Sequence, residues 1–376
     1  MYIENPPLKV VQLITRMDTM GGAQSHVRDI SISLKRKGYA ISIVTGGDAN
    51  QHFEIEKEKI DVHYSKYLIH KIHLLADVRA FFEIRGLLKS IGPNLVATHS
   101  SKAGVIGRLA AYSLRIPVVF TVHGWSFTEG VRGTKRRLYM WVEKFAGIFT
   151  DGVISVSNYD RKLALQHNIV PARKIIHIHN GVHDAVIDES SADRGDPKKL
   201  MMVARFAPPK KQLLLLEALV KLKHLNWEMY FIGDGPEMKE AQEYAALNNI
   251  GSRVHFEGAR KDVAKFLSKA HISILLSGHE GFPLSILESM RAGLPIIASD
   301  VGGIAEAVGK DNGFLIGLEN KELLVSSIEQ LIQSPIMQVE MGCKSRELYE
   351  QHFTFDKMIT QTITYYKKVM GKRMSG

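Results

Sequence analysis

Short apolar runs alternate with amphipathic stretches along both halves of this chain. In the first half, runs at 9–15, 40–45, 94–98, 117–122 and 152–156 are brief and partly β-branched, and they read as buried strands. Helical periodicity fills the gaps: from a glycine loop at Met20-Gly21-Gly22-Ala23 to about Lys37, over about 74–90, over about 102–113, and once more before 152. The second half repeats the scheme, with strands at 199–203, 228–232, 254–257, 272–276 and 295–299. Its helices fall at 212–221, after the turn Gly233-Asp234-Gly235-Pro236, after Pro283, and at 304–308. A helical tail follows at 321–333, 338–351 and from about 355 to 369. Such alternation predicts the α/β class, with a doubly wound parallel sheet in each half. Residues 182–197 are rich in Asp, Ser and Gly and lack long apolar runs, which predicts a linker. The expected division is a first Rossmann-like domain over 1–182, a linker over 183–197, a second over 198–354 and a terminal helix over 355–376. Two such sheets face each other across a cleft, with ligands at the carboxyl ends of the strands.

The length of 376 residues fits two domains, and 45% apolar with 23% charged residues is ordinary for a globular protein. The single cysteine, Cys343, forms no intramolecular disulfide and favours a reducing, cytoplasmic setting. The first seven residues lack the regions of a secretory leader, and no run is long enough to span a bilayer. A net charge of +10 favours acidic partners. No nucleic-acid-binding motif is present, so phosphorylated metabolites and anionic lipid are the partners expected. Residues 132–144 are basic and aromatic at helical spacing. They read either as a membrane-surface helix or as a domain helix with one solvated face.

The most informative chemistry lies in Ser277-Gly278-His279-Glu280-Gly281-Phe282-Pro283-Leu284-Ser285-Ile286-Leu287-Glu288. Glu280 falls in a strand-to-helix loop, and Glu288 falls about two turns into the helix. The Gly281-Phe282-Pro283-Leu284 backbone between them is aimed at the mouth of the sheet, where a helix N-terminus favours anions. Two carboxylates bracketing an anion site suit a ligand with hydroxyls and phosphates, such as a sugar nucleotide. Arg205 and Lys210 leave another strand end, where two cations would clamp a diphosphate and stabilise its departure. Gly22 permits close backbone approach, and the loop lacks the Gly-x-Gly-x-x-Gly of nicotinamide sites. His123 ends a strand and could contact a sugar or move a proton; a buried structural histidine is the competing reading. His99 and Lys102 at another strand end are assigned to an acceptor. Trp125 is suited equally to stacking on the acceptor or to the core. No pair of the remaining histidines has the spacing of a metal site, so none is assigned.

Taken in order, Gly21-Gly22-Ala23, His123-Gly124, Asn180-Gly181-Val182, Arg205 with Lys210, Gly233-Asp234-Gly235-Pro236, Glu280 with Glu288, and Val301-Gly302-Gly303 resemble retaining glycosyltransferases of the GT-B fold. More narrowly, the chain is similar to the bacterial family with glycogen synthase-like and phosphatidylinositol mannosyltransferase-like members. Thr98-His99-Ser100-Ser101-Lys102-Ala103-Gly104 is similar to members that build surface polysaccharides such as lipopolysaccharide and capsule. The resemblance implies that Arg205 and Lys210 hold the donor diphosphate, that Glu288 binds the ribose and that Glu280 binds the sugar near its 3-hydroxyl. The Gly281–Leu284 backbone, Gly22 and the Gly233 turn would border the donor, the backbone near Arg260 would meet the base, and His123 would face the sugar's 6-hydroxyl side. The last helix would brace the first domain. The sequence departs from the family at His183, where an Asp is common, and at Ala204 and Lys211, where glycines are common.

The reaction so implied moves a hexosyl group from a nucleoside diphosphate sugar, with a uridine sugar favoured, to a saccharide or lipid-linked saccharide. The anomeric configuration is kept and no metal is required. Membrane contact at the inner leaflet fits the basic charge. The rivals are a sugar-nucleotide epimerase of the same fold, a nicotinamide oxidoreductase and a non-catalytic sugar-nucleotide-binding protein.

Overall fold

The computed structural model describes residues 7–18, 21–47, 55, 57–128, 131, 133–185, 195 and 197–374. Most of the expected linker, the tip of the glycine loop at Met20 and the start of the basic stretch at Arg132 lie outside the described residues. The chain divides into two compact units, 1–179 with 358–376, and 180–357.

The first unit holds a seven-stranded sheet of β1 (Lys9–Arg16), β2 (Ala40–Gly46), β3 (Asp61–Tyr64), β4 (Leu95–His99), β5 (Val118–Val122), β6 (Gly152–Ser155) and β7 (Ile175–His177). Its order is β3-β2-β1-β4-β5-β6-β7, and every pairing is parallel. The connecting helices are α1 (Gly22–Arg36), α2 (Leu74–Ile91), α3 (Ser101–Ser113), α4 (Gly133–Ile148) and α5 (Asn158–Gln166). β4 and β5 are buried along their whole lengths, as expected of strands covered on both faces. α3 packs between α2 and α4 and seals the apolar side of β1 and β4, with Leu13, Val96, Ala103 and Ala110 fully buried. Gly107 makes that approach possible, because a Cβ there would lie 2.3 Å from the Leu13 side chain.

The second unit holds six parallel strands: β8 (Lys198–Val203), β9 (Trp227–Ile232), β10 (Val254–Phe256), β11 (Ile272–Leu275), β12 (Ile296–Ser299) and β13 (Gly313–Ile316). Their order is β10-β9-β8-β11-β12-β13. The helices are α6 (Gln212–Lys221), α7 (Met238–Leu247), α8 (Val263–Leu267), α9 (Leu284–Arg291), α10 (Lys321–Gln333), α11 (Pro335–His352) and α12 (Phe355–Met374), the last running on into the first unit. Both sheets therefore share the doubly wound order in which chain direction across the sheet reverses beside the first strand. That reversal falls between β1 and β4 in one unit and between β8 and β11 in the other, and it is where such sheets take their ligands.

Several expectations are corrected. α11 begins at Pro335 rather than 338, because Pro335 sits in its first turn and Ser334 Oγ accepts from the Met337 amide at 3.3 Å. The helix expected at 304–308 is a single tight turn, Ile304–Glu306. α9 starts after Pro283, which caps it, so Glu288 lies little more than one turn in rather than two.

Candidate functional site

In the second unit, Arg205 and Lys210 lie in the loop leaving β8, and Glu280 lies in the loop leaving its neighbour β11. These loops flank the reversal point of that sheet. Backbone bonds tie them together: the Lys211 amide donates to Leu276 O at 3.0 Å, and the Gly278 amide donates to Pro209 O at 2.8 Å. The Lys210 ammonium donates to Glu280 Oε1, with both side chains mostly buried. Arg205 is exposed beside this pair in sequence, and its carbonyl accepts from Gln212 Nε2 at 2.8 Å.

The glutamate loop is braced from two sides. Gly302 has φ +57°, and a Cβ there would lie 1.8 Å from Glu280 O. The Gly303 amide donates to Gly281 O at 3.1 Å. From the other side, Asn180 Nδ2 donates to Phe282 O at 2.7 Å. Phe282 turns its ring inward toward Phe353. Pro283 carries no amide hydrogen, so Leu284 and Ser285 begin the run of helix N–H groups at the mouth of the sheet. Glu288 is half-buried on α9.

The Asn180-Gly181-Val182 motif is anchored by the chain just before α12. Val182 N donates to Phe353 O at 3.1 Å and Phe355 N donates to Val182 O at 2.9 Å, while a Cβ at Gly181 would sit 2.4 Å from Thr354 O. His183, which stands where relatives of the resembled family often carry Asp, stacks on Phe355 with ring centres 3.8 Å apart. A carboxylate is found one position later: Asp184 accepts twice from Arg346 at 2.8 Å, which holds its carboxyl below the usual range. Gly233, expected to border the donor, has its amide occupied by Gly258 O at 2.8 Å and lies so near Ala204 O that a Cβ would clash at 2.1 Å. Arg260 forks onto Asp262 at 3.0 and 3.1 Å. A groove of about 890 Å³ lined by His271, Arg291, Pro295 and Cys343 opens at the amino ends of β11 and β12, away from Glu280.

In the first unit, the equivalent reversal point gathers four polar side chains, with Gln12, His26 and His99 buried and His123 half-buried. His99 is 0% exposed at the end of β4. Its Nε2 lies 2.8 Å from Gln12 Oε1 on β1, and its Nδ1 lies 3.0 Å from His123 Nε2 after β5. With an amide oxygen as the fixed acceptor, the protons are assigned in sequence: His99 donates through Nε2, its Nδ1 accepts from His123 Nε2, and His123 is left with Nδ1 as an acceptor. His26 on α1 presents its ring edge to His123, with centres 4.7 Å apart. Burial pushes His123 down to about 4, and burial, then His123 and His26, push His99 well below its ordinary value. Both imidazoles are therefore neutral at pH 7.

Nitrogens of His26, His99 and His123 come within 4.8 Å of one another, so histidines scattered in sequence do converge in space. An ion there would have to displace the His99–His123 hydrogen bond. Gln12 and His26 escaped the sequence reading. The signal was present in each: Gln12 interrupts an apolar strand, and His26 shares a helical face with Ile30.

Three residues assigned to the acceptor are engaged within the fold. His99 is buried and holds His123, so it does not line a surface. Lys102 is turned onto the carbonyls of Ile69 and Lys71 and pairs with Asp77 Oδ1 at 2.6 Å. Trp125 is buried against Phe127, and its indole N–H donates to Asp160 O at 2.9 Å. All three satisfy groups in the fold. Gly22 opens α1 directly after Gly21, the extended residue that precedes the helix.

The pH dependence of stability should follow from the histidine chain. A depressed folded-state pKa means that the unfolded chain binds more protons between pH 6.5 and about 4. Stability is then full above pH 6.5 and is lost as pH falls through that window. For His123 alone the loss by pH 5 is on the order of 2 kcal/mol. Thermal melts at pH 7.5 and 5.0 should show this drop, and His123→Asn should shrink it; an equal drop in the variant would contradict the assignment.

Two family models match the chain: Glycosyltransferase Family 4 over residues 20–186 and Glycosyl transferases group 1 over residues 184–348. A UDP-Gal:alpha-D-GlcNAc-diphosphoundecaprenol alpha-1,3-galactosyltransferase of Escherichia coli is 30% identical over 298 residues, covering 74% of this chain and 77% of that protein. The O-antigen biosynthesis glycosyltransferase WbnH of Escherichia coli is 27% identical, covering 84% and 87%. Among solved structures, Anabaena HepE in complex with UDP and glucose superposes with a TM-score of 0.81 at 20% identity, covering 94% of this chain and 98% of that one. On this evidence the chain belongs to the group 1 glycosyltransferases, with the GT-B fold of two parallel-sheet Rossmann-like units.

Proposed function

We propose that this glycosyltransferase moves a hexosyl group from a uridine diphosphate sugar to a saccharide or lipid-linked saccharide during surface polysaccharide synthesis. It does so with retention of configuration, without a metal, and at the inner face of the cytoplasmic membrane. The observation that carries the reading is the Lys210–Glu280 pair, set beside the amide-rich start of α9 at the reversal point of the second sheet. The names of the relatives support the substrate class, since one acts with UDP-Gal on a GlcNAc-diphosphoundecaprenol and a structural neighbour was solved with UDP and glucose.

As the glycosidic bond to the diphosphate breaks, positive charge develops on the sugar ring and negative charge on the leaving group. Arg205, Lys210 and the Leu284 and Ser285 amides supply fixed positive potential for the second. Glu280 places a carboxylate at the sugar, and Glu288 one at the ribose. His123, neutral at pH 7, is suited to hydrogen-bond a sugar hydroxyl.

The test is a panel of uridine, guanosine and adenosine diphosphate sugars with purified protein, with and without chelator, read by nucleotide release and by NMR of the anomeric proton. Release from uridine sugars in chelator, with an axial donor giving an axial product, is the expected result. Loss of release in chelator would overturn metal independence. Conversion of one donor sugar into another without acceptor would favour an epimerase.

A further inference from the structure

We infer that His26, His99 and His123 form a site for a divalent transition-metal ion such as zinc, and that an ion held there inhibits transfer by occupying His123. The inhibition rests on the function proposed above, whereas the site itself does not. The three rings come from three rigid elements of the first unit: His26 from α1, His99 from the end of β4 and His123 from the residue after β5. Their ring centres lie 4.7, 5.3 and 5.7 Å apart. One nitrogen of each falls within 4.8 Å of the others. Imidazole nitrogens on a tetrahedral zinc ion, bound at about 2.05 Å, stand about 3.3 Å from one another, so closing the cluster takes ring shifts of under about 1 Å.

His99 is already oriented as a ligand. Its Nε2–H donates to Gln12 Oε1 at 2.8 Å. A carbonyl oxygen on the far nitrogen is what orients a metal-bound histidine, and here it directs the Nδ1 lone pair toward His123. That Nδ1 accepts from His123 Nε2 at 3.0 Å. An ion takes the place of the shared proton. It accepts the lone pairs of His99 Nδ1 and His123 Nε2, and the His123 proton moves from Nε2 to Nδ1, so neither ring changes its charge. Three nitrogen donors select zinc, cobalt, nickel or copper over magnesium and calcium, which take oxygen ligands. His26 and His99 are buried and His123 is half-buried, so solvent reaches the cluster from the His123 side. The cluster also sits at the reversal point of its sheet, where a substrate is expected. A filled site therefore immobilises His123 and reverses the hydrogen-bonding sense of its Nδ1.

Calorimetric titration of the full chain with zinc chloride, after treatment with chelator, should show a single tight site. Zinc-edge X-ray absorption of that complex should show imidazole scattering and no sulfur, a readout that needs no variant. His26→Gln should abolish the tight site. Gln12→Ala should weaken it about 10–100-fold, the scale on which metal affinity falls when a ligating histidine loses its partner. Donor-sugar turnover should fall in proportion to the fraction of sites filled, and magnesium chloride should leave it unchanged. In His26→Gln the ratio of turnover in chelator to turnover in zinc should approach one, whatever that variant's own rate. Sulfur in the absorption spectrum, or undiminished zinc affinity in His26→Gln, would place the ion elsewhere and overturn the site. Full turnover with the three-histidine site filled would overturn the inhibition. Absence of donor turnover, with the imidazole signature present, would sink the enzymatic reading and leave the metal site standing.

Discussion

Lys210→Ala is expected to lower kcat for transfer by about 10²–10³-fold while moving KM far less, on the scale measured when one preorganised transition-state donor is removed. The split between the two constants is the informative part. An ammonium that only gripped ground-state diphosphate would raise KM and spare kcat, whereas one that follows charge onto the leaving group acts on kcat. Lys210 also holds Glu280, so its loss frees that carboxylate. A double-mutant cycle with Glu280→Gln separates the two contributions: coupling through the pair predicts that the double variant loses less than the product of the single losses. Turnover of Lys210→Ala within threefold of the parent would remove the clamp from the mechanism.

The largest stability effect is expected far from that site. Arg108 and Glu143 are 0% and 1% exposed and meet at 2.7 Å, joining α3 to α4, and Arg108 also donates to Gly104 O and lies over the Phe120 ring at 4.3 Å. Glu143→Ala strands a buried guanidinium, a change that typically costs about 3–5 kcal/mol. For units of this size that corresponds to a fall in Tm on the order of 10 °C. The paired replacement Arg108→Met with Glu143→Leu should recover most of the loss, because apolar groups of similar volume carry no desolvation penalty. A Glu143→Ala protein melting within a degree or two of the parent would show that the charge finds water or another partner.

Central strands were easier to read than edge strands, of which only β10 was anticipated. β1, β4, β5, β8, β11 and β12 are covered by neighbours on both sides and were visible as apolar runs. β3, β7 and β13, each a sheet edge of three or four residues, went unread. Asp61-Val62-His63-Tyr64 shows why: an edge strand is half solvated and its composition is that of a loop. The same contrast runs through the site. Lys210 and Glu280 were legible because each follows a strand in a local motif. The Gln12–His99–His123 chain joins residues 87 and 24 positions apart through tertiary packing alone, and no local spacing encodes it. Lys102 and Trp125 show the converse, since a polar or aromatic residue near a strand end serves equally well to satisfy a backbone carbonyl.

The boundary of the first unit carries a consequence for how the protein is made. Most of α12 belongs to that unit, where Tyr365 donates to Lys174 O at 2.6 Å and Val369 fills the space that a side chain at Gly152 would occupy. The first unit is therefore incomplete on the ribosome until residues 358–374 have been made, which is after the whole of the second unit. A fragment cut after residue 179 would expose that segment's footprint, whereas a circular permutant that splices 358–374 onto the amino terminus would cover it from the start.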